Sequence, residues 1–429
     1  MHRALFVLLT FAILCFTVNT TPITLAQEPH PVDADVHPVV VPSPGVFPIG
    51  CFPGPLPEFN TVEHWERVRD ANFTLSCPIH RSTDEDQALM LDYCESLGLM
   101  SVVNAKIIPA DATAPLPEDW ETEAARVVKT FGQHPALFGY MLRDEPNVVQ
   151  FPKLAIVADE FRRLDPTRPS CFNLFPTYAT EEQLGTATYE EHVDRFMSTV
   201  RPPFLSYDHY PLKTDGTDTT DFYLNLELIR DAALRYDTPA WNILLSTSWP
   251  YFRTPSEGEM RWQAYSSLAY GVKGFFYFTY WSTKDDVVAI VDSEGEPGPL
   301  YPVVQRLNGE ILGLGTRLLT LESTGVYHAG ETIPEGTRRL PGNAPLIIEN
   351  SPQLVVGFFE SKQGETYVML ANRDHDESLR WTAQFTPDVT GLQRVSKQNG
   401  DLIPIPLGPN RHLSRTLPPG GGTLFLMER

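Results

Sequence analysis

The chain has 429 residues, 42% of them hydrophobic and 11% aromatic, which is enough to bury more than one small core. Its 54 acidic residues against 33 basic ones leave a formal net charge of −21. Such a surface argues against nucleic-acid binding, which needs basic patches.

The N-terminus, Met1-His-Arg-Ala-Leu-Phe-Val-Leu-Leu, joins a basic start to a short apolar run. Small residues follow at Thr24-Leu-Ala26. Together they predict a cleaved signal peptide over residues 1–26 and a secreted or periplasmic protein. The run is short for a membrane span, so no membrane partner is expected after cleavage. Residues 27–44 are proline-rich and without periodicity, as in an extended linker.

From residue 45 to 321, strand-like and helix-like runs alternate. The predicted strands are Val46–Phe52, Phe73–Ile79, Met100–Ile108, Leu137–Leu142, Ser170–Phe175, Phe204–Tyr207, Trp241–Leu245 and Phe275–Thr279. Between and after them come helical patterns at Val62–Ala71, Glu85–Leu97, Glu118–Phe131, Lys153–Leu164, Tyr189–Thr199, Phe222–Tyr236, Glu257–Tyr270 and Tyr301–Leu319. Eight strand–helix units over about 275 residues fit a (β/α)8 TIM barrel. A doubly wound open sheet would carry a glycine-rich phosphate turn after its first strand. Here that turn is Phe52-Pro-Gly-Pro-Leu-Pro, too proline-laden for the task. From 322 to 429 helical periodicity gives way to short alternating runs such as Thr366-Tyr-Val-Met-Leu, the pattern of a small antiparallel β-sandwich.

Five cysteines occur, and Cys15 lies in the signal. Cys51, Cys77, Cys94 and Cys171 form no C-x-x-C pair, so neither zinc nor redox chemistry is expected of them. They read as small buried hydrophobes. If an exported chain forms a disulfide here, Cys51 with Cys77 is the first pair to test.

The chemistry concentrates at strand ends. Phe138-Gly-Tyr-Met-Leu-Arg-Asp-Glu-Pro-Asn147 is an apolar strand that stops in two carboxylates and a proline. Pro146 ends the ladder because it has no N–H to donate. Asp144 and Glu145 therefore sit at the C-terminal lip, where barrel enzymes collect catalytic groups. A carboxyl against low-dielectric walls keeps its proton near neutral pH and can act as a general acid. Other strand ends bring Asn104 and Lys106, Arg143, Asn173, Asp208-His209-Tyr210, Ser246 to Trp249, and Tyr280-Trp281 to the same mouth. Carboxylates, amides and flat aromatic faces are what a sugar site needs.

Asp144-Glu145-Pro146 resembles the Asn-Glu-Pro motif of clan A glycoside hydrolases. Asp208-His209-Tyr210-Pro211 is similar to their His-Tyr segment, and Trp281 to their sugar-platform tryptophan. The resemblance implies a (β/α)8 hydrolase of O-glycosidic bonds. It implies Glu145 as general acid/base, Tyr210 as an orienter of the nucleophile, and Trp281 as a platform. Substrate contacts are expected from Asn104, Arg143, Asp144, Asn173, His209, Tyr210, Trp249, Tyr280 and Trp281. Two departures stand out. Asp144 replaces the clan's asparagine, and the seventh strand ends Ser246-Thr247-Ser248-Trp249 where the clan has its nucleophilic glutamate.

Asp208 is then a candidate second carboxylate, two strands from Glu145. Glu257 and Glu259 are others, although Ser256-Glu-Gly-Glu259 also reads as a helix capping box. A carbohydrate-binding protein without cleavage is the rival reading. A metal-dependent hydrolase would want clustered histidines, and His80 and His209 stand apart, so no metal or cofactor is expected.

Overall fold

A computed structural model of the chain describes residues 45–282 and 287–429. The predicted signal and linker lie outside the described residues.

The apolar runs form eight parallel strands: β1 (Ile49–Phe52), β2 (Leu75–Ser76), β3 (Met100–Asn104), β4 (Leu137–Asp144), β5 (Ser170–Asn173), β6 (Leu205–Asp208), β7 (Ala240–Leu245) and β8 (Gly274–Phe278). The helices are α1 (Val62–Asp70), α2 (Asp84–Leu97), α3 (Trp120–Phe131), α4 (Phe151–Leu164), the short α5 (Glu181–Leu184), α6 (Tyr189–Val200), α7 (Phe222–Arg235), α8 (Glu257–Ala269) and α9 (Tyr301–Leu318). The strands make one sheet in the order β5–β4–β3–β2–β1–β8–β7–β6. Its edges meet where the Leu174 N–H donates to the Ser206 carbonyl at 2.9 Å, beside a parallel bridge from Leu174 to Tyr207. The (β/α)8 barrel is therefore observed. Among the described residues no helix is long and apolar enough to cross a membrane.

Two cores follow from the period-two pattern. Outside the barrel, residues such as Val103, Tyr140 and Leu244 pack under the helices. Inside it, Phe138, Phe204, Trp241 and Phe276 form an aromatic plug. The Trp241 and Phe204 rings stack at 4.3 Å, and Phe138 and Phe276 tilt against the indole at 5.8 and 6.0 Å. Gly274 makes the room: a Cβ there would fall 2.5 Å from the Trp241 ring. The plug floors the barrel, so the space above it opens only at the C-terminal ends of the strands.

All four described cysteines are free and buried. Cys51 joins the outer core and Cys77 the inner one. They stand on opposite faces of the sheet, so they do not pair.

The C-terminal part is an antiparallel sandwich. It adds β9 (Leu321–Ala329), β10 (Leu346–Glu349), β11 (Leu354–Ser361), β12 (Thr366–Asn372), β13 (Leu379–Phe385), β14 (Gly391–Val395), β15 (Leu402–Ile405), β16 (His412–Leu417) and β17 (Gly422–Glu428). Sheet β10–β13–β16 faces sheet β15–β14–β17–β12–β11–β9. Val356, Val368, Leu370 and Phe425 fill the space between sheets, while their neighbours Val355, Tyr367, Met369 and Leu424 turn to the barrel. Helix α8 is buried on nearly every side because barrel and sandwich both cover it.

A charged clasp reinforces that seam. Arg253 pairs with Asp218 at 3.2 Å and with Glu259, and His375 of the sandwich reaches Asp218 at 2.8 Å. Asp376 and Glu259 face the same imidazole at 3.2 and 3.8 Å. The hydrogen bond to Asp218 chiefly lifts His375 from 6.5 to about 9. A raised histidine adds stability below its unfolded value and loses it as pH rises through the folded one. The thermal midpoint should therefore fall between pH 6.5 and 9, and His375→Gln should flatten that fall. Equal slopes in both proteins would contradict the clasp.

Candidate active site

The mouth of the barrel holds a cavity of about 350 Å³. Backbone geometry decides what faces it. On β4 a bulge lies between Met141 and Arg143: Met141 pairs with Cys171, but Arg143 pairs with Phe172 and Asp144 with Asn173. Simple alternation from the inward Met141 would aim Arg143 at the mouth. The extra residue aims Asp144 there instead. Glu145 then adopts a left-handed φ of 43°, a strained conformation for a side chain with a Cβ. Its N–H donates to the Asn173 carbonyl at 2.8 Å. Bulge and turn together put two successive carboxylates on the cavity wall.

Asn173, at the end of β5, links β4 to β6. Its amide nitrogen donates to Asp144 at 3.1 Å and to Asp208 at 2.8 Å, and its oxygen accepts from Ser206 at 3.1 Å. Two acceptors on one –NH2 group stand within about 6 Å of each other. Asp208 is only 4% exposed, whereas Asp144 opens to the cavity. The Glu145 carboxylate makes no hydrogen bond or ion pair among the described residues.

Three carboxyls in one cavity cannot all ionise cheaply. Burial first, then Asp144, raises Glu145 to about 7, against an opposing pull from Arg143. Burial first, then Glu145 and Asp144, raises Asp208 as well, while the Asn173 hydrogen bond lowers it. The group titrates as a unit. Burial and the neighbouring carboxyls thus favour the protonated form of both Glu145 and Asp208.

Aromatic rings wall the cavity. Tyr210 stacks on Phe278 at 5.4 Å, with Phe252 at its edge and Trp249 against Phe278. Tyr178 and Tyr251 stand at the rim, 41% and 75% exposed. The deep wall is apolar, from Phe52, Cys77, Met141, Cys171, Ile243 and Phe276.

Several expected contacts lie elsewhere. Asn104 is buried and its amide donates to the Pro78 and Ile79 carbonyls, shaping the loop after β2. Lys106 donates to the Ser82 carbonyl. Arg143 turns out to the Ala110 carbonyl at 3.2 Å. His209, next in the alternation after the inward Asp208, points away and pairs with Asp221 at 3.1 Å behind Tyr178. Tyr280 packs edge-on against Phe73, and Trp281 lies between Phe59 and His64; neither lines the cavity. The rings that β8 gives the cavity are Phe276 and Phe278. Ser246 and Thr247 donate to the Thr279 and Val288 carbonyls, so these hydroxyls at the end of β7 are engaged. Glu257 pairs with Arg261 and Arg306, and Glu259 forms the capping box with Ser256.

The sequence pattern does not single out Tyr178, Tyr251, Phe252, Phe278 or His80 as site residues. Period two on β8 does link Phe278 to the inward Phe276. Tyr178 and Tyr251 sit in loops, where no periodicity points.

No family model and no curated protein sequence matches the chain. Solved structures do. A glycoside hydrolase aligns at a TM-score of 0.58 and 10% identity, over 91% of this chain and 97% of that one. A family 5 glycoside hydrolase from Bacteroides vulgatus aligns at 0.56 and 11%, over 89% of each. A family 42 β-galactosidase from G. stearothermophilus aligns at 0.56 and 8%, over 90% and 98%. The chain shares the barrel-and-sandwich fold of these glycoside hydrolases. Barrel and sandwich both fall within these alignments, since each spans about nine-tenths of the chain. At such identities the likeness is one of architecture, and the chemistry has to come from the residues themselves.

Proposed function

We propose that the protein is an exported glycoside hydrolase that cleaves O-glycosidic bonds with Glu145 as general acid and then general base. One observation carries the reading: a glutamate without a hydrogen-bond donor, raised to about 7, stands on the wall of a barrel-mouth cavity. In the first step its proton passes to the departing sugar oxygen. In the second its carboxylate takes a proton from water. Asp208 is the second carboxylate of the site. Glu145 and Asp144 face it, and the three acids share their protons as one group. Asn173 and Ser206 fix its position, and Tyr210, Phe278 and Trp249 offer ring faces to the C–H faces of a sugar. Asp144 reads a polar group beside the reacting centre.

A screen of polysaccharides and aryl glycosides tests this reading. Release of reducing sugar is expected, with kcat/KM falling above pH 7 as Glu145 loses its proton. Calorimetric binding of the same sugars with no release would favour a carbohydrate-binding protein.

A further inference from the structure

We propose that the cavity takes a glycoside of a 2-acetamido sugar, whose own acetamide oxygen attacks the anomeric carbon. This rests on the hydrolase reading of the site and names its substrate class. Three observations lead to it.

First, the acids on the cavity wall come from β4 and β6 alone: Asp144, Glu145 and Asp208 among the described residues. The end of β7 offers hydroxyls tied to carbonyls, and Glu257 and Glu259 are engaged outside the mouth. Asp208 is 4% exposed beneath the Asn173 amide, poorly placed to reach a sugar carbon. A nucleophile carried by the substrate removes the need for one from the protein.

Second, the deep wall is apolar, built from Phe52, Cys77, Met141, Cys171, Ile243 and Phe276. A sugar hydroxyl pressed there would lose its water and gain no partner. An acetyl methyl group would bury apolar area at no such cost.

Third, an acetamide presents one N–H donor and one carbonyl acceptor. Asp144 supplies an acceptor oxygen on the cavity wall. Tyr210 supplies a hydroxyl that donates to nothing among the described residues, and burial first, then the nearby Asp208, Tyr178, Asp144 and Glu145, keeps it protonated. Asp144 and Tyr210 can thus grip the N–H and the carbonyl and aim the oxygen.

Glu145 gives its proton to the glycosidic oxygen while the acetamide oxygen bonds to the anomeric carbon. The carbon–oxygen bond to the leaving alcohol breaks with its electron pair. The oxazolinium ion that forms is stabilised by the Asp144 carboxylate at its N–H. Water then adds to the anomeric carbon and gives a proton to the Glu145 carboxylate. The bond to the acetamide oxygen breaks, and the free sugar leaves with its acetamide restored and its configuration retained.

The experiment uses 4-nitrophenyl glycosides of 2-acetamido gluco and galacto sugars in both anomeric forms, their 2-hydroxy parents, and the 2-trifluoroacetamido analogues. Attack from the neighbouring carbon requires the 1,2-trans anomer. The β-2-acetamido compounds should exceed their 2-hydroxy parents by about 100-fold or more in kcat/KM, and the weakly nucleophilic trifluoroacetamides should fall about 10-fold or more below the acetamides. Asp144→Asn should lose about 100-fold on the acetamido substrate. Proton NMR should show the β-anomer first. Turnover of 2-hydroxy glycosides at an equal rate, insensitivity to trifluorination, or an α-anomer first would overturn the proposal while leaving a Glu145-dependent hydrolase in place. No turnover of any glycoside would instead sink the hydrolase reading, and this proposal with it.

Discussion

Glu145→Gln is expected to lower kcat/KM on glycosides with poor leaving groups by about 10²–10⁴-fold, the usual worth of a positioned proton donor. The reason is local. Glutamine keeps the shape but has no proton to give, and no other acid on the wall is placed like Glu145. Glycosides of strongly acidic phenols, which leave without help, should lose much less in the bond-breaking step. Comparing the two substrate types by steady-state kinetics checks the claim, and equal losses on both would contradict a proton-donor role. The same variant should gain stability. A carboxyl whose folded pKa is raised binds its proton more tightly when folded, so it costs stability as pH rises from its unfolded value towards the folded one. From 4.5 to about 7 that amounts to about 3–4 kcal/mol at most, and a neutral glutamine side chain at this position would not suffer it. Above pH 7 the variant should melt higher than the parent, and below pH 4 the two should coincide.

The second large effect is structural. Trp241→Ala should destabilise the barrel by about 3–5 kcal/mol. The indole is fully buried, stacks on Phe204 and touches Phe138 and Phe276. Gly274 has given up its side chain to fit it. Four rings converge, so the hole cannot close by one neighbour moving in. The same plug floors the cavity, so its loss should also weaken substrate binding. A thermal midpoint within a degree or two of the parent would show that the barrel interior repacks freely.

Much of the architecture was legible because the signals are local and repeated. Each barrel strand is an apolar run that stops at polar residues, and α2 is closed by Gly98 in a left-handed conformation at φ 70°. Ser256-x-x-Glu259 forms its capping box as read, because such a box needs only its own four residues. What escaped depends on contacts between strands. The β4 bulge that trades Arg143 for Asp144 exists only in register with β5. His209 turns away because Asp208 turns in, and Asp221, twelve residues on, completes its environment. Trp281 has the composition of a platform, but loops bearing Phe59 and Gly295 bury it. The rim tyrosines belong to loops, whose shape the chain pattern does not encode.

The central claim is that the Glu145 carboxyl stays protonated to neutral pH inside an open cavity. Carbon-13 NMR titration of glutamate-labelled protein, with Glu145→Gln to assign the signal, measures it directly. The expected midpoint is near 7, moving down in Asp144→Asn as the neighbouring charge is removed. A midpoint at the ordinary 4.5 in the parent protein would contradict the account at its root.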